Sequence, residues 1–385
     1  MAGRITPGQI KRNNRQQIYS YIYRKHKASQ QDMLYALRLS RPTVATNLAA
    51  LEEDGLICKN GQIEADQIGR KAAAYSIVPN YRVAVGVEIL RKRIKMIAVD
   101  LYGDKLRRDV VEMRFAHEPA YYKQVCREIN RFVDALEAPR ERILGVGLSA
   151  QGLAAQDGRS ISYGAILGCT GLTIDVFEQE LSLPCRFVHD PAGAAMSELW
   201  VTPELTDAVY LSLSSHPGGA LIHQRRILTG KHGHSCTFEH VQANPEGEMC
   251  YCGKRGCWDT LLSRRALVGD DSTLEDFFER VRTGDAQAVA HWKNYLKNLG
   301  KLILGLHLVS DVDFILGGHL APFITEADIR CIYDVIRQGC PFEEADDFIH
   351  ISKMPSHNIT VGISLPFIAA FLEDNGVEQR MEDAE

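Results

Sequence analysis

The sequence predicts an α/β protein headed by a winged helix-turn-helix, and three observations carry that prediction. Three short helical segments with capping signals open the chain. From Val83 onward, apolar strand-like runs alternate with helical patterns. Between Glu239 and Asp259, three cysteines and a histidine crowd a loop that contains glycine and has a carboxylate at each end.

The length of 385 residues suits two or three domains with large cores that need no disulfides. Hydrophobic residues at 45%, charged residues at 24% and a mean hydropathy of -0.17 are globular values, and no apolar run is long enough to span a bilayer. The opening MAGRITPGQIKRNNRQQ lacks the apolar core of a signal peptide, which places the ten cysteines in a reducing compartment, the cytoplasm. Net charge is -5, unevenly divided: residues 1–80 hold 12 Lys and Arg against 6 Asp and Glu, leaving 32 against 43 for the rest. A basic head on an acidic body fits a polyanion that meets the head and is kept off the body.

In the head, residues 1–80, Ile18, Tyr21 and Ile22 fall at helical spacing in RQQIYSYIYRK. Ser29 caps a second helix whose Met33, Leu34 and Leu37 share a face and which stops near Leu39. Ser40 caps a third, with Pro42 in its first turn, Val44, Leu48 and Leu51 facing inward, and Gly55 ending it. The stretches Leu56–Cys58 and Ala74–Val78 then pair as a hairpin with Arg70 and Lys71 near its tip, forming a wing. Ser40, Arg41, Thr43, Thr46 and Asn47 are short polar groups at the start of the third helix, suited to base edges in a major groove. Lys11, Arg12, Arg70 and Lys71 would hold phosphates of double-stranded operator DNA.

The body reads as strands VAVGVEIL, RIKMIAVD, ILGVGLSA, CRFVHD and AVYLSLSS, with helical patterns at 121–136, 174–181, 194–200 and 294–308. Cys250, Cys252 and Cys257, separated by Gly253 and Gly256, can converge on one cation, and Zn(II) is the natural guest of such thiolates. Free core cysteines or disulfides are the alternatives. For a fourth ligand the residues offer His232, His234, Cys236 and His240.

The run NRQQIY, then Ser29, then LSRPTVATNLAALEEDGL resembles the MarR-like winged heads of repressors in the ROK (repressor, ORF, kinase) family, and the resemblance extends over nearly the whole chain. It implies a two-lobed, actin-like sugar-kinase body: a first lobe at 81–190, completed by the C-terminal helix, and a second at 191–385 with the zinc loop at 239–259. It also implies His240 as the fourth ligand of one structural Zn(II) per chain, with Cys250, Cys252 and Cys257. Kinases of this family cradle ATP phosphates with a DxGGT turn and a GTGxGGG loop. Here the first reads Glu88-Ile89-Leu90-Arg91-Lys92, without glycine, and the second Ser214-Ser215-His216-Pro217-Gly218-Gly219-Ala220, where Pro217 removes a backbone donor. Gly317-Gly318 matches the family's adenosine-side turn but reads equally as a plain turn.

Sugar-facing positions survive better. The family's Asn-Asp pair, whose Asp is the kinase base, is His189-Asp190 here, similar to the glucose and N-acetylglucosamine repressors of the family. Its EIGH motif, whose Glu and His reach the sugar, is represented by Phe238-Glu239-His240, and its GCxE motif by Gly256-Cys257-Trp258-Asp259. Gly152 stands where kinases have a Pro-Gly turn. The resemblance therefore implies a sugar or sugar-phosphate site at Gly152, His189, Asp190, Glu239, His240 and Asp259. It implies a non-enzymatic, sugar-responsive regulator of carbohydrate genes, a homodimer or tetramer without membrane attachment. The alternative is an ATP-dependent sugar kinase with a DNA-binding head.

Overall fold

A computed structural model describes residues 6–63, 72–269, 272–343, 345–354 and 358–379. Arg70 and Lys71 lie outside the described residues. The chain opens with α1 (Pro7–Lys25), β1 (Ala28–Ser29), α2 (Gln30–Leu37) and α3 (Arg41–Glu53), followed by β2 (Ile57–Ile63) and β3 (Ala72–Ile77). The three strands form a sheet in the order β1-β3-β2. Capping boxes at Thr6 and Ser29, and the Ser40 hydroxyl accepting from Thr43 N, satisfy amide donors that start each helix.

Helix α1 begins at Pro7, a full turn and more before the apolar spacing reveals it. It buries Ile18, Tyr19, Ile22 and Tyr23, whereas Tyr21 is only half-buried. The broad apolar face has two partners. One is the head's own core of Met33, Val44, Leu48 and Leu51; the other is the body, through Leu101, Leu365, Leu372 and Val377 in the same continuous core.

The body continues with β4 (Val83–Ile89), β5 (Arg93–Val99), β6 (Lys105–Glu112), α4 (Pro119–Asp134), β7 (Ile143–Ser149), β8 (Leu153–Ala154), β9 (Ile161–Tyr163), α5 (Asp175–Leu181) and β10 (Cys185–Phe187). Its first large sheet has the order β10-β7-β4-β5-β6, with β4, β7 and β10 parallel and β4, β5 and β6 a meander. Helix α6 (Asp190–Val201) leads to β11 (Ala208–Ser212), β12 (Gly218–His223) and β13 (Arg226–Leu228). After the cysteine loop come α7 (Asp259–Leu262), α8 (Arg264–Val268), α9 (Leu274–Arg282), α10 (Ala286–Ser310), β14 (Asp313–Gly317), α11 (Glu326–Gly339) and β15 (Ile349–Ile351). The second large sheet runs β13-β12-β11-β14-β15. The chain closes with α12 (Asn358–Gly362), which packs on α6, β4 and β5, and α13 (Leu365–Asp374), which packs on β4 and β7.

Glycine sets how closely these layers approach. A Cβ on Gly86 of β4 would lie 1.8 Å from the Thr360 carbonyl oxygen, and one on Gly147 of β7 would lie 1.8 Å from the Ile363 carbonyl oxygen. Both obstacles are backbone, so neither can swing aside. Gly86→Ala or Gly147→Ala should lower unfolding free energy by about 1–3 kcal/mol or more, as overpacking does. Chemical denaturation checks this, and wild-type midpoints in both variants would contradict the packing described.

Candidate functional site

Between the two large sheets, at the carboxyl ends of β4, β7 and β11, opens a cleft of about 940 Å³. Gly152, His189, Asp190, Glu239 and His240 all line it. Gly152 is held where a Cβ would stand 2.7 Å from the Tyr163 carbonyl oxygen, so only glycine lets β9 close over this wall.

Asp190 opens α6 at the floor. Burial, reinforced by the nearby Glu88 carboxylate, pushes its carboxyl up to about 7, and its Oδ1 has no hydrogen-bond partner among the described residues. Burial likewise holds His189 down at about 4, a neutral imidazole at neutral pH. Glu88 itself is engaged by Lys95 at 3.0 Å and by the Thr360 hydroxyl at 3.2 Å. On the facing wall, the 3-10 turn Phe238–His240 brings Glu239 and His240 forward together. Glu239 is buried, its carboxyl is raised to about 8 chiefly by that burial, and its Oε2 also lacks a partner among the described residues. These unpaired buried oxygens, both on residues that line the cleft, are acceptors that a polyhydroxylated ligand would satisfy.

Behind Glu239 the cysteine loop folds on itself through bridges Gln242 to Cys257 and Met249 to Arg255. Gly256, at φ 69°, lies so close to Asn244 that a Cβ would be 1.5 Å from its carbonyl oxygen. This turn gathers His240, Cys250, Cys252 and Cys257, whose ligand atoms all lie within 4.8 Å of one another. Cys250 Sγ is 3.8 Å from His240 Nδ1, and Cys252 Sγ is 3.7 Å from Cys257 Sγ. A tetrahedral zinc with Zn–S bonds of about 2.3 Å requires ligand separations of about 3.8 Å. Burial raises the Cys250 and Cys257 thiols, so these cysteines would ionise only with a cation beside them. With Nδ1 turned to the sulfurs, His240 turns Nε2 to the cleft, 3.1 Å from the Tyr251 hydroxyl and 3.8 Å from Glu239 Oε1.

Asp259 is placed differently from the sequence expectation. It is buried and does not line the cleft; its Oδ1 is 2.8 Å from His216 Nδ1 and its Oδ2 is 3.9 Å from Cys250 Sγ. The aspartate side chain ends one shell behind the wall, and His216 occupies the surface. Tyr163, His216, Tyr251, Arg264 and His319 also line the cleft and were not read from the sequence. Only Tyr251, lodged between two ligating cysteines, had a placement that the spacing gives away.

The two segments compared with phosphate loops line the cleft with side chains where the kinase motifs have glycine. Leu90 N bonds the Arg93 carbonyl at 2.9 Å in a tight turn, and the Arg91 guanidinium reaches the Ile166 carbonyl at 2.6 Å. Gly219 is committed to packing: a Cβ there would meet the Phe238 ring at 2.1 Å. Gly317 packs in the same way on the Tyr210 hydroxyl, and Gly318 turns at φ 84°.

In the head, Lys11, Arg12, Ser40, Arg41 and Thr46 are exposed. Thr43 is half-buried with its hydroxyl 2.8 Å from Ser40 Oγ. Asn47 departs from the expectation: it is buried, and its amide donates back to the Thr43 carbonyl at 2.8 Å. It lies on the same helical face as Val44, Leu48 and Leu51, which turns it inward.

The ROK family model matches residues 84–325. The chain belongs to the ROK family. It is 22% identical over 340 residues to the DNA-binding transcriptional dual regulator NagC of Escherichia coli K12, covering 83% of this chain and 82% of that one. Among solved structures, a ROK family transcriptional regulator homologous to the E. coli MLC protein superposes with a TM-score of 0.75 at 19% identity, over 95% of this chain and 98% of the other. A ROK glucokinase from Streptomyces griseus, in complex with glucose and AMPPNP, gives 0.64 at 21% identity over 74% of this chain and 98% of its own. The fold is therefore the α/β sugar-kinase-type fold of ROK proteins, and both regulators and kinases share it.

Two outcomes follow. Cys252→Ser should release bound zinc and lower the melting temperature, because the metal's binding free energy is folding free energy; stoichiometric zinc retained in that variant by metal analysis would contradict the centre. For Asp190, the folded carboxyl at about 7 lies above its ordinary 3.8, so the neutral form favours the folded state. That contribution is full below about pH 4 and is lost as pH rises through about 7. Asp190→Asn, neutral throughout, should gain stability relative to wild type from pH 4 to 8, measured by denaturation at each pH; parallel curves would contradict it.

Proposed function

We propose that this chain is a sugar-responsive, DNA-binding transcriptional repressor whose cleft senses a small carbohydrate and whose head binds operator DNA as a homodimer. The observation that carries the reading is the asymmetry of the cleft. Hydroxyl-reading acceptors on Asp190 and Glu239 stand unpaired, while the segments comparable to phosphate cradles line the same cleft with the side chains of Leu90, Arg91, Lys92, His216 and Pro217 in place of bare glycine backbone. Repressor relatives that span over four-fifths of the chain support it. Among the described residues, no helix is long and apolar enough to cross a membrane. Zinc at His240, Cys250, Cys252 and Cys257 would serve structurally, with four protein ligands and no open position for a reacting water. It would fix Glu239 and His240 as one wall.

Ser40, Arg41, Thr43 and Thr46 at the start of α3 would read bases, with Lys11 and Arg12 on phosphates. Asn47 is left out of that surface. A sugar bound between the sheets acts on DNA only through different affinities for two conformations. The route is short in this molecule: α6 starts at Asp190 in the cleft and carries in its last turn Trp200, whose indole N–H donates to the Tyr102 carbonyl at 2.6 Å. Tyr102 stacks on Tyr23 of α1 with centroids 4.8 Å apart, and the Tyr23 hydroxyl donates to the Leu101 carbonyl at 3.0 Å.

A hexose kinase is the second reading, and the raised Asp190 carboxyl favours it, since proton abstraction from a hydroxyl needs a base there. Gel-shift titration with candidate sugars separates the two. The repressor reading expects a palindromic upstream fragment to be bound in a sugar- and salt-dependent way; Asp190-dependent ADP release with no DNA affinity would overturn it. Arg41→Ala should weaken operator binding by about 1–3 kcal/mol, the worth of a base contact. Trp200→Phe should keep both DNA and sugar binding yet reduce the sugar-induced change in DNA affinity, and an unchanged response would contradict the α6 route.

A further inference from the structure

The geometry points to His216 as a hydroxyl-recognising residue of the cleft, oriented by Asp259 acting from behind the wall; this rests on the sugar reading of the cleft and names one of its specificity determinants. Asp259 is buried and presents no atom to the cleft lining, yet it is the acidic residue nearest the cysteine loop's exit, where the sequence places a sugar contact. Its carboxylate accepts from His216 Nδ1 at 2.8 Å. That bond fixes the ring's rotation and tautomer, and leaves Nε2 as a bare acceptor with no partner among the described residues.

The loop bearing His216 is held at more than one point. Arg264 N sits 3.3 Å from both the Ser214 and Ser215 carbonyl oxygens, and Pro217 follows directly. The Tyr251 ring stands edge-on between the two histidines, 4.8 Å from His216 and 5.0 Å from His240. The result is a continuous wall, His216, Tyr251 and His240, with a carboxylate behind one histidine and the thiolate cluster behind the other. Such a wall reads the positions of hydroxyl groups on a neutral sugar ring. It also places His216 in the loop compared above with a phosphate cradle, so the segment in which Pro217 removes a backbone donor offers an imidazole nitrogen.

Isothermal titration of the zinc-loaded full chain with glucose and N-acetylglucosamine, and with their 3-, 4- and 6-deoxy analogues, tests this. Wild type should bind one parent sugar and lose about three- to tenfold in affinity for the analogue lacking the hydroxyl that donates to Nε2. His216→Ala should bind the parent about three- to tenfold more weakly and show no penalty for that one analogue, while its penalties for the others persist. Asp259→Asn should reproduce the lost penalty with one zinc still bound per chain, which separates positioning from mere support of the loop. Wild-type affinities and penalties in His216→Ala would overturn the assignment while leaving the sugar reading intact. Wild type that binds none of these sugars would overturn both together.

Discussion

The crossing of α6 and α12 is the contact on which the rest of the body depends. A Cβ on Gly362 would fall 1.6 Å from the Gly193 carbonyl oxygen, so the two helices meet backbone to backbone. Nearby, the Ser197 hydroxyl donates to the Asn358 carbonyl at 2.6 Å. Because α12 also lies on β4 and β5, and α6 lies against β11 and β12, this crossing joins the two large sheets. The position of Asp190 at the start of α6, and of Trp200 at its end, follow from it. A helix buried along nearly its whole length and clamped in this way moves as a unit, because close-packed interiors shift between discrete arrangements and do not deform smoothly.

The cleft's electrostatics follow from what surrounds it. Asp190 and Glu239 are carboxyls drawn into low-polarity surroundings with acceptor atoms left unpaired, an arrangement that costs stability in the empty protein. A ligand rich in hydroxyl donors would relieve that cost, and under the proposed function this relief is what a bound sugar would draw on. A metal held by the cysteine cluster behind Glu239 would fix this wall and couple the relief to the geometry of the cleft. ROK kinases and regulators share this frame. What distinguishes this chain is side chains and turns at residues 88–92 and 214–220, where a nucleotide's phosphates would need bare backbone.

Much of the architecture was legible in the sequence because its elements carry local signals. The strands from Val83 and the helices capped by Ser29 and Ser40 announce themselves through periodicity and capping chemistry. His240, Cys250, Cys252 and Cys257, whose ligand atoms the fold brings together, were legible as a set only once the family resemblance chose His240 among several candidates. Long-range placement was not legible. Asn47 looked available to DNA because it is polar, but its helical position turns it toward the core. Asp259 looked like a cleft residue because it stands where the family's GCxE motif has its Glu, and only the fold shows it withdrawn behind His216. The docking of α1 on the body was also hidden: the Tyr23 hydroxyl reaches the Leu101 carbonyl, and Tyr19 and Tyr23 share one buried core with residues of the C-terminal helix. Such contacts join residues far apart in sequence, for which no local pattern exists.

Sensing in the cleft and DNA binding by the head must be thermodynamically linked if one molecule performs both. The direct measurement is calorimetric titration of the effector sugar into the free protein and into the protein saturated with the DNA it selects from a random-sequence pool. Linkage requires the sugar's affinity to change between the two by the same factor by which the sugar changes affinity for that DNA, about 5- to 150-fold for typical allosteric coupling. Equal sugar affinities in the free and DNA-bound protein would contradict a sensing role for the cleft.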